Sequence, residues 1–179
     1  MWYVIQVLTG EEERTADKCR KLIGSRDSDE GVLQDCFIPY TKRQRRYEGQ
    51  WHIEKRVLFP GYVFLTSDSP EELFLRLKKV PGLTKLLGTG QDIVPLTAEE
   101  EALLRRLGGD EQIVETSIGV IENDQIIITE GPLQGMEGCI RRIDRHKRMA
   151  WLEVEMMGRR LEVKVGLEVV EKNRGQENV

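Results

Sequence analysis

The sequence is poor in the side chains that build metal sites and disulfide frameworks. It has only two histidines, His52 and His146, and three widely spaced cysteines, Cys19, Cys36 and Cys139. Zinc sites need several Cys, His or carboxylate ligands close together. An odd number of scattered cysteines is typical of unpaired thiols in a reducing compartment. We therefore expect no metal, no cofactor and no disulfide bond.

The chain also lacks long apolar segments and an excess of positive charge. No run reaches the roughly 18 apolar residues of a transmembrane helix, and the N-terminal residues have no signal-peptide pattern. We expect a cytoplasmic, monomeric protein without a membrane segment. The net charge of −4 excludes a generally basic nucleic-acid coat. It does not exclude local basic patches, because a phosphate backbone interacts mainly with nearby charges.

The sequence also lacks the sets of residues that are typical of enzyme active sites. The sequence shows no Ser/His/Asp or Cys/His set with plausible partners and no glycine-rich phosphate loop. Its glutamates cluster at predicted helix starts, where capping and the helix dipole explain them. We predict that the protein is not an enzyme.

Alternating strand and helix signals predict an α+β N-terminal domain over residues 1–108, with an antiparallel sheet flanked by helices. Residues 2–8 are aromatic and β-branched, which is typical of a strand. Three capping boxes predict helix starts: Thr9 with Glu12, Ser69 with Glu72, and Thr97 with Glu100. Gly24 is expected to end the first helix.

Composition changes after Gly108, and only strand signals follow. We predict a linker over 109–117, a small SH3-like β-barrel over 118–172 and a flexible tail over 173–179. Apolar and polar residues alternate along the barrel segments, with turns at glycines. Residues 149–157 also have fair helix propensity, which leaves their conformation open.

A basic arm lies inside the N-terminal domain. Residues 42–56 carry six cations and two carboxylates, a local charge of +4, with Gly49 in the position of a hairpin turn. The cations and the aromatic residues among them are Lys42, Arg43, Arg45, Arg46, Tyr47, Trp51, Lys55 and Arg56. The arm is either a nucleic-acid contact or a solvated hairpin.

An apolar run directly after the arm is interrupted by a Pro-Gly pair, in the order Phe59, Pro60, Gly61, Tyr62. Proline fixes φ and removes a donor, while glycine permits a turn or bulge. This predicts a kinked start to a strand. Composition alone favours rings buried in the core; the alternative is a rigid bend that displays them to a partner.

A second basic patch lies in the C-terminal domain, at a predicted strand end and turn. Five cations, one carboxylate and a histidine occupy residues 141–148. The candidate RNA contacts are Arg141, Arg142, Arg145, His146, Lys147 and Arg148. Guanidinium groups bind phosphates and stack on bases; the alternative is a solvated turn.

Three of these features together resemble the NusG/Spt5 family of transcription elongation factors. The Trp2–Gln6 strand before a helix and the bend at 59–62 resemble its N-terminal (NGN) domain. The Gly131-Pro132 turn with Gly138 resembles its KOW domain. The resemblance covers nearly the whole chain, with the motifs in the family's order.

The resemblance implies an N-terminal domain that binds the clamp helices of the largest subunit of RNA polymerase. The matching positions are Trp2, Tyr3, Phe59, Pro60, Gly61 and Tyr62. An exposed apolar patch is expected where helices dock, although one of the two strand neighbours, Trp2 or Tyr3, should be buried. The basic arm would meet upstream or non-template DNA, with Tyr47 or Trp51 stacking on an unpaired base.

The C-terminal domain of housekeeping members recruits ribosomal protein S10 or termination factor Rho through an aromatic residue before a turn glycine. Here Met157 precedes Gly158, which argues against those partners. The arginine-rich turn resembles instead the specialised LoaP-type antiterminators, which recognise a nascent RNA hairpin. The alternatives are a general elongation factor that recruits a protein and a ribosomal-type RNA-binding protein.

Overall fold

A computed structural model describes residues 1–23, 32–83 and 95–171, and the backbone of three two-residue strands between 85 and 93. The expected helix end at Gly24 and the tail 173–179 lie outside the described residues. The chain divides into two compact units. Unit 1 comprises Met1–Pro39 and Phe59–Leu104, and unit 2 comprises Tyr40–Leu58 and Arg105–Val179. The basic arm therefore belongs to the same unit as the C-terminal strands.

The helices and strands follow one another in an order typical of an α+β fold followed by an all-β fold. In chain order they are β1 (Trp2–Gln6), α1 (Glu12–Ile23), β2 (Asp35–Phe37), β3 (Tyr40–Tyr47), β4 (Gln50–Val57), β5 (Tyr62–Thr66), α2 (Pro70–Leu77), β6 (Lys85–Leu86), β7 (Gly88–Thr89), β8 (Asp92–Ile93), α3 (Ala98–Gly108), β9 (Ile113–Val114), β10 (Ser117–Glu122), β11 (Gln125–Glu130), β12 (Ile140–Asp144), β13 (Met149–Met156) and β14 (Arg159–Val169). A short 3-10 helix, Glu137–Cys139, precedes β12.

Unit 1 contains an antiparallel sheet with the strand order β2-β5-β1-β6. Its two inner strands are continuous apolar runs, as expected for strands covered on both faces. Tyr3, Val4, Ile5 and Phe64 are at most 1% exposed. The predicted α+β class of the N-terminal part is confirmed.

Of the three predicted capping boxes, the one at α3 is confirmed. The Thr97 N–H donates to Glu100 Oε2 at 2.9 Å, and the Glu100 N–H donates to Thr97 Oγ1 at 3.2 Å. The box at α2 is wrong: the Ser69 side chain makes no capping bond, and Glu72 pairs with Arg76 at 2.8 Å. A proline at the first helical position removes one of the N–H groups that would need a cap.

Apart from the end of α3 and the short 3-10 helix, the described elements of unit 2 are strands, and the predicted all-β C-terminal part is confirmed. Its five-stranded sheet has the order β11-β10-β14-β13-β12, and the arm strands β4 and β3 form a second sheet with β9. The open question at 149–157 is resolved, because Met149–Met156 pairs with β14 along its whole length. The predicted linker contains β9, which pairs in parallel with Tyr40 and Thr41.

Candidate nucleic-acid and partner interfaces

The bend between the arm and β5 is held by a buried glutamate of α1. Glu12 is 4% exposed, and its carboxylate accepts the N–H of Gly61 at 2.8 Å and that of Gly10 at 2.9 Å. The predicted capping box at Thr9 is therefore wrong, because α1 begins at Glu12 itself and this carboxylate is used to fix the bend. Gly61 has φ +87°, and its carbonyl accepts the Val7 N–H at 2.8 Å.

The rings at the bend belong to the core. Of the six predicted docking residues, all described by the structure, Pro60 alone is exposed. The other rings are 1–8% exposed: Trp2, Tyr3, Phe59 and Tyr62. Trp2 packs edge-on against Phe37 at 5.0 Å between ring centroids, and Phe59 lies 5.8 Å from Phe64. The exposed aromatic patch that the resemblance implies is therefore wrong, and the burial of Phe59 and Tyr62 that composition favours is confirmed. One of the two neighbours Trp2 and Tyr3 is expected to be buried, and both are.

One apolar side chain near the bend is exposed and was missed by the sequence reasoning. Leu8 is 64% exposed and follows Val7, which is bonded to Gly61. Its position at the end of an apolar strand did not distinguish it from the core residues before it. The solvent-facing apolar surface here consists of Leu8 and Pro60.

The arm is a regular hairpin, as Gly49 predicted. β3 and β4 pair antiparallel from Tyr40–Val57 to Tyr47–Gln50. The two turn residues, Glu48 and Gly49, have φ of +52° and +75°, which is the signature of a type I′ turn whose twist matches that of the strands.

Several arm side chains already have partners. Glu54 pairs with Arg56 at 3.1 Å and with Arg45 at 3.4 Å, and these two guanidinium groups lower its pKa, Arg56 contributing most. Lys42 pairs with Glu115 at 2.7 Å, and Lys55 lies 4.2 Å from the centroid of the Tyr40 ring.

The two aromatic candidates on the arm each have one face covered. Tyr47 stacks on His52 with 3.6 Å between ring centroids. The guanidinium of Arg148 lies 4.0 Å from the centroid of the Trp51 ring, a cation–π distance. Neither ring is available on both faces for a base.

Three cations of the C-terminal run take part in contacts within the unit. Arg141 donates to the Gly138 carbonyl at 2.7 Å, and Arg142 lies 3.7 Å from the centroid of the Trp151 ring. Besides its contact with Trp51, Arg148 bonds to Gln44 and lies 3.7 Å from a carboxylate oxygen of Glu168. These arginines hold the strands together as well as adding charge to the surface.

The side chains at the tip of the same turn, in contrast, make no such contacts among the described residues. Arg145, His146 and Lys147 are exposed, and within the described residues their side chains have no ion pair and no hydrogen bond. The turn is closed by the Lys147 N–H, which donates to Asp144 Oδ1 at 2.9 Å. These three side chains are free to contact a ligand.

The arm and this turn border a cleft of about 380 Å³ inside unit 2. Five of its ten lining residues are cations and one is a carboxylate, and the others supply an amide, an indole, an imidazole and a thioether: Arg43, Gln44, Arg45, Arg46, Trp51, Glu54, Arg56, His146, Lys147 and Met149. In the sequence the two groups of cations lie about a hundred positions apart, and nothing local indicates that they meet.

The described residues contain no cluster of His, Cys, Asp or Glu that could hold a metal ion. All three cysteines are free. No helix in the described ranges is long and apolar enough to cross a membrane.

Comparison with known proteins identifies the family. The family model for NusG, described as transcription termination factor, matches residues 1–105. The transcription termination/antitermination protein NusG of Borreliella burgdorferi is 28% identical over 181 residues, covering 96% of this chain and 97% of that protein. The same-named protein of Bacillus subtilis is 25% identical over 175 residues, covering 96% of this chain and 97% of that protein.

A solved structure shows the same fold. The structure titled "Domain interaction in Thermotoga maritima NusG" aligns with a TM-score of 0.60 and 25% identity, covering 93% of this chain and 92% of that chain. The match extends over both the α+β and the all-β parts. The chain belongs to the NusG family of transcription termination/antitermination proteins.

Proposed function

We propose that this protein is a cytoplasmic transcription factor that docks on the clamp helices of the largest subunit of RNA polymerase and alters pausing or termination. Its C-terminal strands contact nascent RNA, and we place it among antiterminators of the LoaP type that respond to an RNA hairpin. The family match over residues 1–105 supports the polymerase partner. RNA polymerase is the enzyme on which such factors act, and no catalytic role is proposed for this chain.

The observation that carries the RNA contact is the exposed turn Arg145–Lys147. Its side chains have no intramolecular partner among the described residues, while the neighbouring arginines are held by Trp151, Trp51 and nearby carbonyls. Exposed cations that make no internal contact gain free energy when they bind phosphate and release counterions. We assign an RNA hairpin as the ligand because its unpaired loop nucleotides offer both phosphates and unstacked bases.

A second candidate is a general NusG-type factor whose C-terminal strands recruit a protein such as S10 or Rho. The names of the relatives favour it. The turn between β13 and β14, formed by Met157 with φ +58° and Gly158 with φ +72°, lacks the aromatic residue implied for that contact. The ribosomal-type alternative is set aside by the family assignment.

The docking surface can be tested without disturbing the core. Because the rings at the bend are buried, we expect the exposed Leu8 and Pro60 to contact the polymerase. Leu8→Glu with Pro60→Glu should weaken binding to core RNA polymerase about tenfold or more, since charge is placed in an apolar contact. Binding can be measured by fluorescence anisotropy of the labelled full-length chain.

Leu75→Glu provides the matched control, because Leu75 is 54% exposed on α2 of the same unit. It should leave polymerase affinity within about twofold of the unsubstituted protein. Equal affinity of the double variant and this control would contradict docking through the surface at the bend.

A further inference from the structure

We infer that the basic arm and the C-terminal turn form one RNA site, in which the cleft between them receives a single nucleotide of an RNA strand. This inference rests on the proposed function, which supplies RNA as the partner of the turn. It adds the arm residues Arg43, Arg46 and Trp51 to that site, because they line the same cleft as His146 and Lys147, so that the arm and the turn each supply a wall.

The charge of the cleft requires an anionic ligand. Its one carboxylate, Glu54, is already paired with Arg56 and Arg45. Arg43, Arg46 and Lys147 have no carboxylate within ion-pair distance among the described residues. Cations that face one cleft without a counter-charge create a positive potential that attracts phosphate.

Arg43 is the side chain on which the repulsion between neighbouring cations acts most clearly. It is half-buried, and its guanidinium donates to the thioether of Met149, with Nη1 3.9 Å from Sδ. Burial lowers the pKa of Arg43, the neighbouring Arg56 lowers it further, and Glu54 offsets only part of the decrease. A phosphate placed between these guanidinium groups would relieve their repulsion and supply the missing acceptor.

The two walls are fixed before any ligand arrives. Arg148 spans them, since its guanidinium covers Trp51, bonds to Gln44 and lies near Glu168. Next to the arm, Gly166 packs so closely that an added Cβ would lie 2.7 Å from the Lys42 carbonyl oxygen. A cleft with preset walls loses little conformational entropy on binding.

The size and lining of the cleft suit one nucleotide. Its volume of about 380 Å³ is near the lower end of the range of about 300–1,000 Å³ for ligand pockets. Trp51 provides an aromatic wall for a base, and the cations provide phosphate contacts. Nucleotides in the loop of an RNA hairpin are unstacked and can enter such a cleft, whereas a duplex cannot.

The test uses the full-length chain and a labelled RNA hairpin with a single-stranded loop, titrated over a series of salt concentrations. Arg46→Ala removes an exposed cation of the arm from the cleft, and Lys147→Ala removes one of the turn. Each should lower RNA affinity about fivefold and reduce the salt slope by about 0.7. In the double variant, the fold loss of RNA affinity should differ from the product of the two single fold losses, because both side chains contact the same RNA strand.

Lys164→Ala is the matched control, because Lys164 is an exposed cation of the same unit that does not line the cleft. It should change affinity less than twofold. If Arg46→Ala behaves like Lys164→Ala while Lys147→Ala weakens binding, the arm is not part of the RNA site, and this inference is wrong while the proposed RNA contact of the turn stands. If Arg46→Ala weakens single-stranded DNA binding only, the inference is also overturned, in favour of DNA on the arm. If the unsubstituted chain binds no RNA, both this inference and the proposed RNA function are wrong.

Discussion

Replacing Gly131 with alanine is expected to lower the free energy of unfolding of unit 2 by about 3 kcal/mol, through backbone strain and overpacking. Gly131 has φ +101°, a conformation that L residues rarely adopt. An added Cβ would lie 2.6 Å from Ser117 Oγ and 2.7 Å from Ser117 Cα. Ser117 cannot easily move, because it is fully buried and its hydroxyl accepts the Leu133 N–H at 3.1 Å.

Gly138→Ala is the matched control within the same turn motif. Gly138 has no positive φ, and an added Cβ would meet nothing within 4 Å, so we expect a change below about 0.5 kcal/mol. Chemical denaturation followed by tryptophan fluorescence measures both variants. Equal midpoints and slopes would show that the contact between Gly131 and Ser117 does not constrain the fold.

Replacing Glu12 with alanine is expected to cost about 3 kcal/mol, because hydrogen bonds to a charged group contribute about 1.5–3 kcal/mol each. The substitution removes the acceptor for the Gly61 and Gly10 N–H groups. The Gly61 N–H would then be buried without a partner. The bend from Phe59 to Tyr62 should loosen, and polymerase affinity should fall together with stability.

Glu13→Ala controls for the loss of a carboxylate from the first turn of α1. Glu13 is exposed. Its removal should lower the free energy of unfolding by only about 0.5 kcal/mol, as expected for a surface charge near a helix N-terminus. Thermal unfolding of the two variants provides the comparison. An equal loss from both would mean that helix charge, and not the bonds to the bend, explains the effect.

Features set by neighbouring residues were predictable from the sequence. The Thr97 box depends on a spacing of three residues, and the arm turn depends on Gly49 next to a residue that tolerates positive φ. The bend was also located by its Pro-Gly pair. In each case the local chemistry leaves the backbone few alternatives.

Features that depend on distant residues were not predictable. Composition favours burial of the rings but does not name their partners: Trp2 packs against Phe37 and Phe59 against Phe64, and the resemblance to a docking surface gives no information on that packing. Glu12 bonds to a glycine 49 positions away instead of completing a cap. The strand at 149–156 is decided by pairing with β14, which overrides its helix propensity.

The cationic cleft depends most clearly on residues that are distant in the sequence. Arg148 and Gln44 are 104 positions apart, and Arg43 and Met149 are 106 apart. From the sequence the two basic runs are separate surfaces with separate ligands. Their grouping in one unit changes the functional hypothesis, because an RNA strand bound in the cleft would exclude DNA from the same face of the arm.

The most direct test of the account is RNA binding by the full-length chain, comparing a hairpin with an unstructured RNA of equal length over a salt series. We expect a preference for the hairpin of about tenfold or more that persists near physiological salt, since base and loop contacts add to phosphate contacts. Equal, weak binding to both RNAs that disappears as salt rises would contradict the account. It would show that the cations act only through long-range charge, and would favour a general factor that recruits a protein partner.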